Sequence, residues 1–208
     1  MSKKVDYKKD FKPLYVPTTE PCVLTVPAFK FVVIAGEGDP NGDSFAEDTA
    51  ALYSISYAVK MSYKGNHVPT GYYEYTVFPL EGEWDLIDPG KTIADKNNFR
   101  YRIMIRQPEF LSPELFQRFL RETKKKKPNP SLDKMIFEER EEGLCCQMLH
   151  MGPYADEPKS FSRMEQFCTE NGYTRLHKKH REIYLSDPRN TDPTKMKTVL
   201  RFQVKAKG

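Results

Sequence analysis

The chain has 208 residues, of which 38% are hydrophobic and 30% are charged, and its formal net charge is +4. A chain of this length buries roughly 70% of the surface that it exposes when unfolded, so it needs no disulfide or metal to fold. Its 13 Phe, 12 Tyr and single Trp can build a core, which argues against a disordered chain. No segment approaches the roughly 18 apolar residues of a membrane span, and the basic N-terminus precedes no apolar run. We therefore expect no membrane partner, no signal peptide and a cytoplasmic location.

In the first half, residues 1–20 are charged and contain proline, which indicates an arm. An apolar run at 26–39 predicts a buried strand that ends in a turn. From Ser44 to about Tyr63, apolar residues recur at helical spacing. Two segments that alternate between apolar and polar residues predict the next strands, at 71–79 and 99–106.

In the second half, Ser112 and Pro113 form a strong helix start, and this helix ends in the basic run Lys124–Lys127. Because cations complement the C-terminal end of a helix dipole, the run is interpreted as a solvated helix end, and no nucleic-acid partner is predicted. The later elements predicted are a strand at 143–152, a helix at 157–171 and strands at 180–185 and 198–204.

The order strand, helix, strand, strand therefore occurs twice. We predict a single α+β domain over residues 1–208, with repeat 1 at 27–107, a linker with a helix at 108–142, and repeat 2 at 143–206. In this comparison Glu74 matches Glu182. Such a duplication favours two sheets or half-sheets related by a pseudo-twofold axis, with a groove where they meet that receives a small organic ligand.

Alternation along the strand 180–185 places His180, Glu182 and Tyr184 on one face. Ile183 and Leu185 suit the face covered by helices, so the first three residues are expected on the opposite, concave face. Burial among aromatic rings raises the pKa of a carboxylate, which would make Glu182 a usable general base. The alternative is an ion pair between Glu182 and a cross-strand Lys or Arg.

Further ligand-binding candidates lie in repeat 1 and at the start of repeat 2. Tyr72 and Glu74 would face the groove from the strand at 71–79, and Glu81 follows them. Trp84 is predicted in a turn, as a pocket wall or lid, with core packing as the alternative. His150 and Tyr154, the last two candidates, lie near the end of the predicted strand at 143–152. The favoured interpretation of His150 is a structural histidine whose hydrogen bonds are satisfied within the fold.

Other chemistries lack their motifs. No serine lies in G-x-S-x-G, the GEGDPNG segment at 36–42 matches neither phosphate-binding loop, and four histidines give no H-E-x-x-H. Cys22, Cys145, Cys146 and Cys168 form no C-x-x-C pair, so we expect free thiols and no metal site. No cofactor is predicted.

Several segments together resemble the stand-alone GyrI-like (SHS2-type) proteins, relatives of the ligand domains of multidrug-sensing regulators. The matching stretches are DYKKDFKPLY, VIAGEGDPN, ALYSISYAVKM, PLEGEW, EGLCCQMLHMGPYADE, HREIYLSDPR and TVLRFQV. The resemblance implies tandem β-α-β-β units around a central cleft. It also implies that the family's cleft glutamate corresponds to Glu182 and its tryptophan to Trp84. Arg181 departs from the pattern, which has a second histidine there, and no helix-turn-helix precedes the domain.

Some members of that family hydrolyse the cyclopropane ring of DNA-alkylating natural products and so detoxify them. The resemblance thus implies a hydrolase in which Glu182 activates a water. A binder that sequesters cationic or planar drugs without turnover needs the same cleft and is the alternative. Inhibition of a topoisomerase would require an exposed acidic or apolar patch, and none is evident, so no protein partner is predicted.

Overall fold

The computed structural model describes residues 4–65, 67–91 and 95–207. Nine strands and five α-helices are found in these ranges. The strands are β1 (Cys22–Val26), β2 (Phe29–Glu37), β3 (Leu80–Leu86), β4 (Phe99–Arg106), β5 (Ile136–Arg140), β6 (Gly143–Met151), β7 (Tyr173–Arg175), β8 (His180–Tyr184) and β9 (Lys197–Ala206). The helices are α1 (Tyr7–Asp10), α2 (Lys12–Tyr15), α3 (Asp43–Lys60), α4 (Pro113–Lys126) and α5 (Glu157–Glu170).

The sheet is continuous and is built symmetrically from the two repeats. Its strand order is β1-β6-β9-β8-β3-β4-β2-β5, with β7 paired to β9. Repeat 1 contributes β2, α3, β3 and β4, and repeat 2 contributes β6, α5, β8 and β9. The α+β fold with tandem β-α-β-β units is therefore confirmed. The two halves meet where β3 pairs with β8 in an antiparallel arrangement.

Helix α3 covers the outer strands of repeat 1. Leu52, Ile55 and Val59 recur at helical spacing and are fully buried in the same core cluster as Ile34 and Ile103. Since Ile34 and Ile103 are cross-strand partners on β2 and β4, the helix lies over those two strands. A helix whose apolar stripe is buried against a sheet gains most of its stability from that packing.

Helix α5 covers the outer strands of repeat 2 in the same way. Met164 and Cys168 are buried with Leu200 and Phe202 of β9. The two helices thus lie over the flanks of the sheet, and the central strands β3 and β8 lie between them.

Helix α4 connects the repeats and confirms the helix predicted from residue 112. The Ser112 hydroxyl accepts a hydrogen bond from the backbone N–H of Leu115 at 3.2 Å. Phe116 stacks on Phe137 of β5 with 5.5 Å between ring centroids.

The other face of the sheet is covered by the N-terminal segment, which contains α1 and α2. The Arg201 guanidinium donates to the carbonyl oxygen of Leu14 at 2.9 Å, and the hydroxyl of Tyr15 donates to Glu81 at 3.1 Å. Tyr15 is 2% exposed and belongs to the main core cluster, together with Ile183. Residues 7–15 are therefore an integral part of the fold.

This second face also contains a buried ion network at the β3–β8 junction. The Arg181 side chain is 2% exposed. Its nitrogens lie 2.8 Å from Glu81, 3.2 Å from Glu83 and 3.3 Å from Glu142. Burial alone would raise the pKa of Glu142, but Arg181 and Arg201 outweigh burial and hold this pKa below its ordinary value. Glu142 therefore stays ionised at neutral pH.

The strand predicted at 71–79 is wrong. Apart from one bridge between Tyr75 and Val5, this segment is irregular, and β3 begins only at Leu80. Its aromatic residues pack locally instead of on a sheet, as when the Phe78 ring lies 5.7 Å from that of Tyr15. An apolar–aromatic alternation predicts side-chain burial, but a strand also needs a neighbouring strand for its backbone hydrogen bonds.

The expected orientation of β8 is also wrong. Ile103 on β4 pairs with Gly82 on β3, and Gly82 pairs with Glu182 on β8. Cross-strand partners share a face of the sheet, so Glu182 lies on the side of α3, and His180 and Tyr184 lie there with it. The N-terminal segment covers the opposite face.

All four cysteines are free, as predicted, and Cys145, Cys146 and Cys168 are buried. None of the helices in the described ranges is long and apolar enough to cross a membrane.

The ion network generates a stability prediction. Arg181→Met removes the cation and leaves the buried Glu81 and Glu83 and the partly buried Glu142 without their shared partner, so the free energy of unfolding should fall by about 3–5 kcal/mol, measured by urea denaturation. The exposed pair of Arg189 with Asp187 provides the control, since solvent screens this pair and Arg189→Met should leave stability nearly unchanged. Equal effects of the two substitutions would contradict a structural role for the network.

Candidate functional site

The candidate site lies on the helix-side face of β3 and β8, between α3 and α5. Antiparallel register places Gly82 beside Glu182 and Trp84 beside His180. We call this region the central cleft and define it by Gly82, Trp84, Tyr154, Glu157, His180, Glu182 and Tyr184. The two repeats thus both contribute side chains to it.

Both carboxylate oxygens of Glu182 are held by neighbours on its own strand. The Tyr184 hydroxyl donates to Oε2 at 2.8 Å, and Nε2 of His180 lies 3.0 Å from Oε1. The Glu182 side chain is 12% exposed to solvent. A carboxylate that is oriented by two hydrogen bonds and still reaches the surface can contact a bound molecule.

A hydrogen-bond relay connects repeat 1 to this carboxylate. Nε1 of Trp84 donates a hydrogen bond to the Tyr184 hydroxyl at 2.7 Å. That hydroxyl in turn donates a hydrogen bond to Glu182. Since an indole nitrogen can only donate, the direction of the relay is fixed. The relay therefore leaves the Tyr184 hydroxyl as a donor to Glu182.

Gly82 makes the relay possible. A Cβ atom at this position would lie 2.8 Å from Nε1 of Trp84 and 3.1 Å from the Tyr184 hydroxyl. The two polar groups therefore meet over a strand position that has no side chain.

A second carboxyl group lies against Glu182. Glu157, the first residue of α5, is 6% exposed and interacts electrostatically with Glu182, and its Oε1 atom is buried without a hydrogen-bond partner in the part of the chain that the structure describes. Burial, followed by the charge of Glu182, raises the pKa of Glu157 to about 10. Two adjacent carboxyl groups in a poorly solvated site cannot both ionise easily, so Glu157 holds a proton at neutral pH.

Glu157 is not among the site residues predicted from the sequence. An acid in the first turn of a helix is normally explained by the helix dipole, and here it precedes Pro158 at the start of α5. Its position as the last residue of the segment GPYADE, directly after a strand end, was the available signal. Only the tertiary contact with β8 distinguishes it from an ordinary helix-start acid.

Trp84 lies within β3 and not in a turn, so that prediction is wrong. Its ring is 7% exposed and stacks on Phe45 with 5.8 Å between centroids. Phe99 and Tyr101 each lie 5.7 Å away. The core-packing alternative therefore describes most of the ring, and Nε1 is the part that is directed into the cleft.

Tyr154 provides the accessible aromatic surface of the cleft. It is 39% exposed, and its ring lies edge-on to Tyr184 at 6.0 Å. Burial, followed by the charge of Glu182, raises the pKa of Tyr154 to about 12. Its hydroxyl therefore stays protonated at neutral pH and can donate to a ligand.

His150 is buried outside the cleft. Its ring nitrogens lie 2.9 Å from the Ser160 hydroxyl and 3.1 Å from the Pro153 carbonyl. Both nitrogens are thus occupied by contacts that fix the start of α5 against the end of β6. This arrangement matches the favoured interpretation of a satisfied structural histidine.

The structure does not bring the other three candidates to the cleft. Glu81 is on the opposite face in the ion network with Arg181. The Tyr72 hydroxyl donates to the carbonyl of Lys60 at 2.8 Å. Glu74 has 60% side-chain exposure and lies 3.8 Å from the amine of Lys4. The expectation that Tyr72 and Glu74 face the groove is wrong because no strand positions them, and the match of Glu74 to Glu182 fails for the same reason.

Within the described ranges, no group of three or more His, Cys, Asp or Glu side chains is arranged to hold a metal ion. The polar side-chain groups of the cleft are carboxyl, imidazole, indole and phenol groups.

Fold and cleft together define an α+β protein whose paired repeats surround an acidic, aromatic site. The profile of the GyrI-like small-molecule-binding domain family matches residues 19–205. The chain belongs to this family.

Solved structures similar to the chain agree with this assignment. A hydrolase from Listeria innocua is 35% identical, with a TM-score of 0.92, and the match covers 98% of this chain and 100% of that one. An uncharacterised conserved protein from Listeria innocua is 36% identical over 97% of this chain and 100% of its own, also with a TM-score of 0.92. The C-terminal domain of EcmrR, 14% identical with a TM-score of 0.53 over 90% of this chain and 98% of its own, shares the fold. No curated protein matches the chain.

The close approach at Gly82 gives a prediction for Gly82→Ala. The added methyl must displace Trp84 or Tyr184, so we expect a loss of about 1–3 kcal/mol in stability and a shift in the fluorescence of the only tryptophan. Gly90→Ala is the matched control, because there a Cβ meets only the flexible Asp88 carboxylate, at 3.2 Å. An unchanged emission spectrum in Gly82→Ala would show that the relay does not depend on the missing side chain.

The protonation of Glu157 predicts a pH dependence. Its pKa is about 10 in the folded protein against an ordinary value of 4.5, so the folded state binds more protons and stability falls as pH rises between these values. Glu157→Gln mimics the protonated carboxyl and should remove a cost of roughly 3 kcal/mol at pH 7. Urea denaturation from pH 5 to pH 8 should give a flatter stability curve for this variant than for the wild type or for the exposed control Glu170→Gln. Parallel stability curves for Glu157→Gln and the wild type would show that Glu157 is not the group that holds the proton.

Proposed function

We propose that this protein is a hydrolase that opens the cyclopropane ring of electrophilic, DNA-alkylating natural products in the central cleft. The observation that carries the proposal is the geometry at Glu182, whose carboxylate oxygens lie 2.8 Å from the Tyr184 hydroxyl and 3.0 Å from the His180 ring, next to a second carboxyl group, Glu157, whose pKa burial raises. A hydrolysis of this kind needs a base and an acid in one site, and unequal protonation of two neighbouring carboxyls supplies both.

In the proposed reaction, Glu182 takes a proton from a water molecule whose oxygen bonds to a ring carbon of the cyclopropane. The strained carbon–carbon bond breaks, and its electron pair moves through the conjugated system to the carbonyl oxygen. Glu157 or Tyr154 donates a proton to that oxygen. The proton that Glu182 gained then passes to the donor, directly to the neighbouring Glu157 or through solvent to the exposed Tyr154, so the site is regenerated and one water is added in total.

The neighbouring groups of Glu182 support this role. Hydrogen bonds from Tyr184 and the contact with His180 fix the carboxylate plane, which positions the base without requiring it to reorganise during the reaction. Tyr154 offers an aromatic surface at the cleft entrance for a planar substrate. The 35% identical Listeria innocua protein described as a hydrolase is further support.

A non-catalytic binder of cationic or planar drugs is the second candidate. The half-exposed Tyr154 ring next to an acidic residue suits an organic cation through cation–π contact and charge. In this function Glu182 is a counter-ion and no bond is broken.

The two candidates are separated by incubating the protein with a cyclopropane-bearing alkylator and measuring the product by mass spectrometry. A product that gains one water indicates turnover, whereas recovery of unchanged ligand from the complex indicates binding alone. Wild-type protein that produces no hydrated product above the uncatalysed rate would refute the hydrolase.

The role of Glu182 is tested by Glu182→Gln, which preserves shape but removes basicity. We expect the turnover rate to fall by roughly 10²–10⁴, the usual contribution of a positioned general base, while a neutral planar ligand still binds. Glu170→Gln, an exposed acid on α5, is the control and should retain full activity. If Glu182→Gln folds and loses only its affinity for cations, the protein is a binder; full activity in this variant would leave Glu182 without a catalytic role.

A further inference from the structure

A second concave surface lies between α3 and α4 and shares no lining residue with the central cleft. Its volume is about 750 Å³. We call it the α3–α4 groove. Small-molecule sites are typically concave and enclose roughly 300–1,000 Å³, so this groove has the size of a ligand site.

The floor of the groove is apolar. Tyr57 and Met61 line it while remaining 51% and 38% exposed, and the buried ring of Phe119 lies below them. Single exposed apolar residues are ordinary, but these are adjacent and lie inside one concavity. The floor can therefore receive an apolar body.

The rim of the groove is cationic. Lys64, Lys126 and Lys127 line it and are exposed, and none of them forms an ion pair with the carboxylates that the structure describes. Arg118 also lines the groove and is paired with Glu122 at 3.7 Å. Three lysines with uncompensated charge thus surround an apolar floor.

We propose that the α3–α4 groove binds an amphiphilic organic anion, with its apolar chain or ring on the floor and its carboxylate, sulfate or phosphate head on the lysines. Charge complementarity favours an anion here, while the carboxyl pair of the central cleft disfavours one there. A second copy of the chain is disfavoured as occupant, because the protein already carries a net charge of +4. The volume suits one small molecule.

The test uses a dansyl-labelled long-chain carboxylic acid and its uncharged methyl ester, titrated into the full-length protein and followed by dansyl fluorescence. The acid should bind more tightly than the ester, and its affinity should fall as salt is added. The triple variant K64Q/K126Q/K127Q should weaken binding of the acid about tenfold, because each exposed charge contact contributes up to a few-fold. Binding of the ester should not change.

The control variant K9Q/K205Q/K207Q removes the same charge from exposed lysines outside the groove and should bind the acid as the wild type does. Equal losses in both triple variants would assign the effect to net charge and overturn the proposal. So would equal affinities for acid and ester in the wild type. Sedimentation of the same samples tests for a second copy of the chain as occupant. A wild-type dimer that dissociates only in the K64Q/K126Q/K127Q variant would show that the groove is a dimer interface and would overturn the proposal.

Discussion

The antiparallel pairing of β3 with β8 is the constraint on which the rest of the structure depends. It joins the two repeats into one sheet and sets a different chemistry on each of its faces. Side chains alternate along a strand, so a slip of one residue would exchange the two sets. On the helix side it assembles Gly82, Trp84, His180 and Glu182, and on the other side Glu81, Glu83, Arg181 and Ile183.

The buried ion network makes such a slip costly. Replacing a buried ion pair by apolar residues is often neutral for stability, so the network is not needed simply to stabilise the core. Its effect on register is stronger, because moving β8 by one position would bury the Arg181 charge without Glu81 and Glu83 and would bring it among the groups of the cleft. The charges on one face thereby fix the positions of the carboxyl and phenol groups on the other.

Much of this arrangement was predictable from the sequence, and the failures have specific causes. Alternation in HREIY placed His180, Glu182 and Tyr184 together, and the two repeats followed from the order of periodic segments. Alternation separates the faces of a strand but does not say which face the helices cover, because that depends on long-range register. Glu157 was missed because its partner is 25 residues away in sequence, on β8. Trp84 was misplaced because β3 begins later than the alternation at 71–79 indicates.

The environment of Trp84 bears on how a flat molecule would enter the central cleft. One face of its ring is already stacked on Phe45, and such a pair contributes about 0.5–1.5 kcal/mol beyond the area that it buries. A ligand that stacks on that face must first break this contact, and Phe45 belongs to the first turn of α3. Packing against the half-exposed ring of Tyr154 carries no such cost. In the proposed reaction, binding at Tyr154 would also place a substrate beside the carboxyl pair, while Trp84 acts through Tyr184 to hold Glu182 in position.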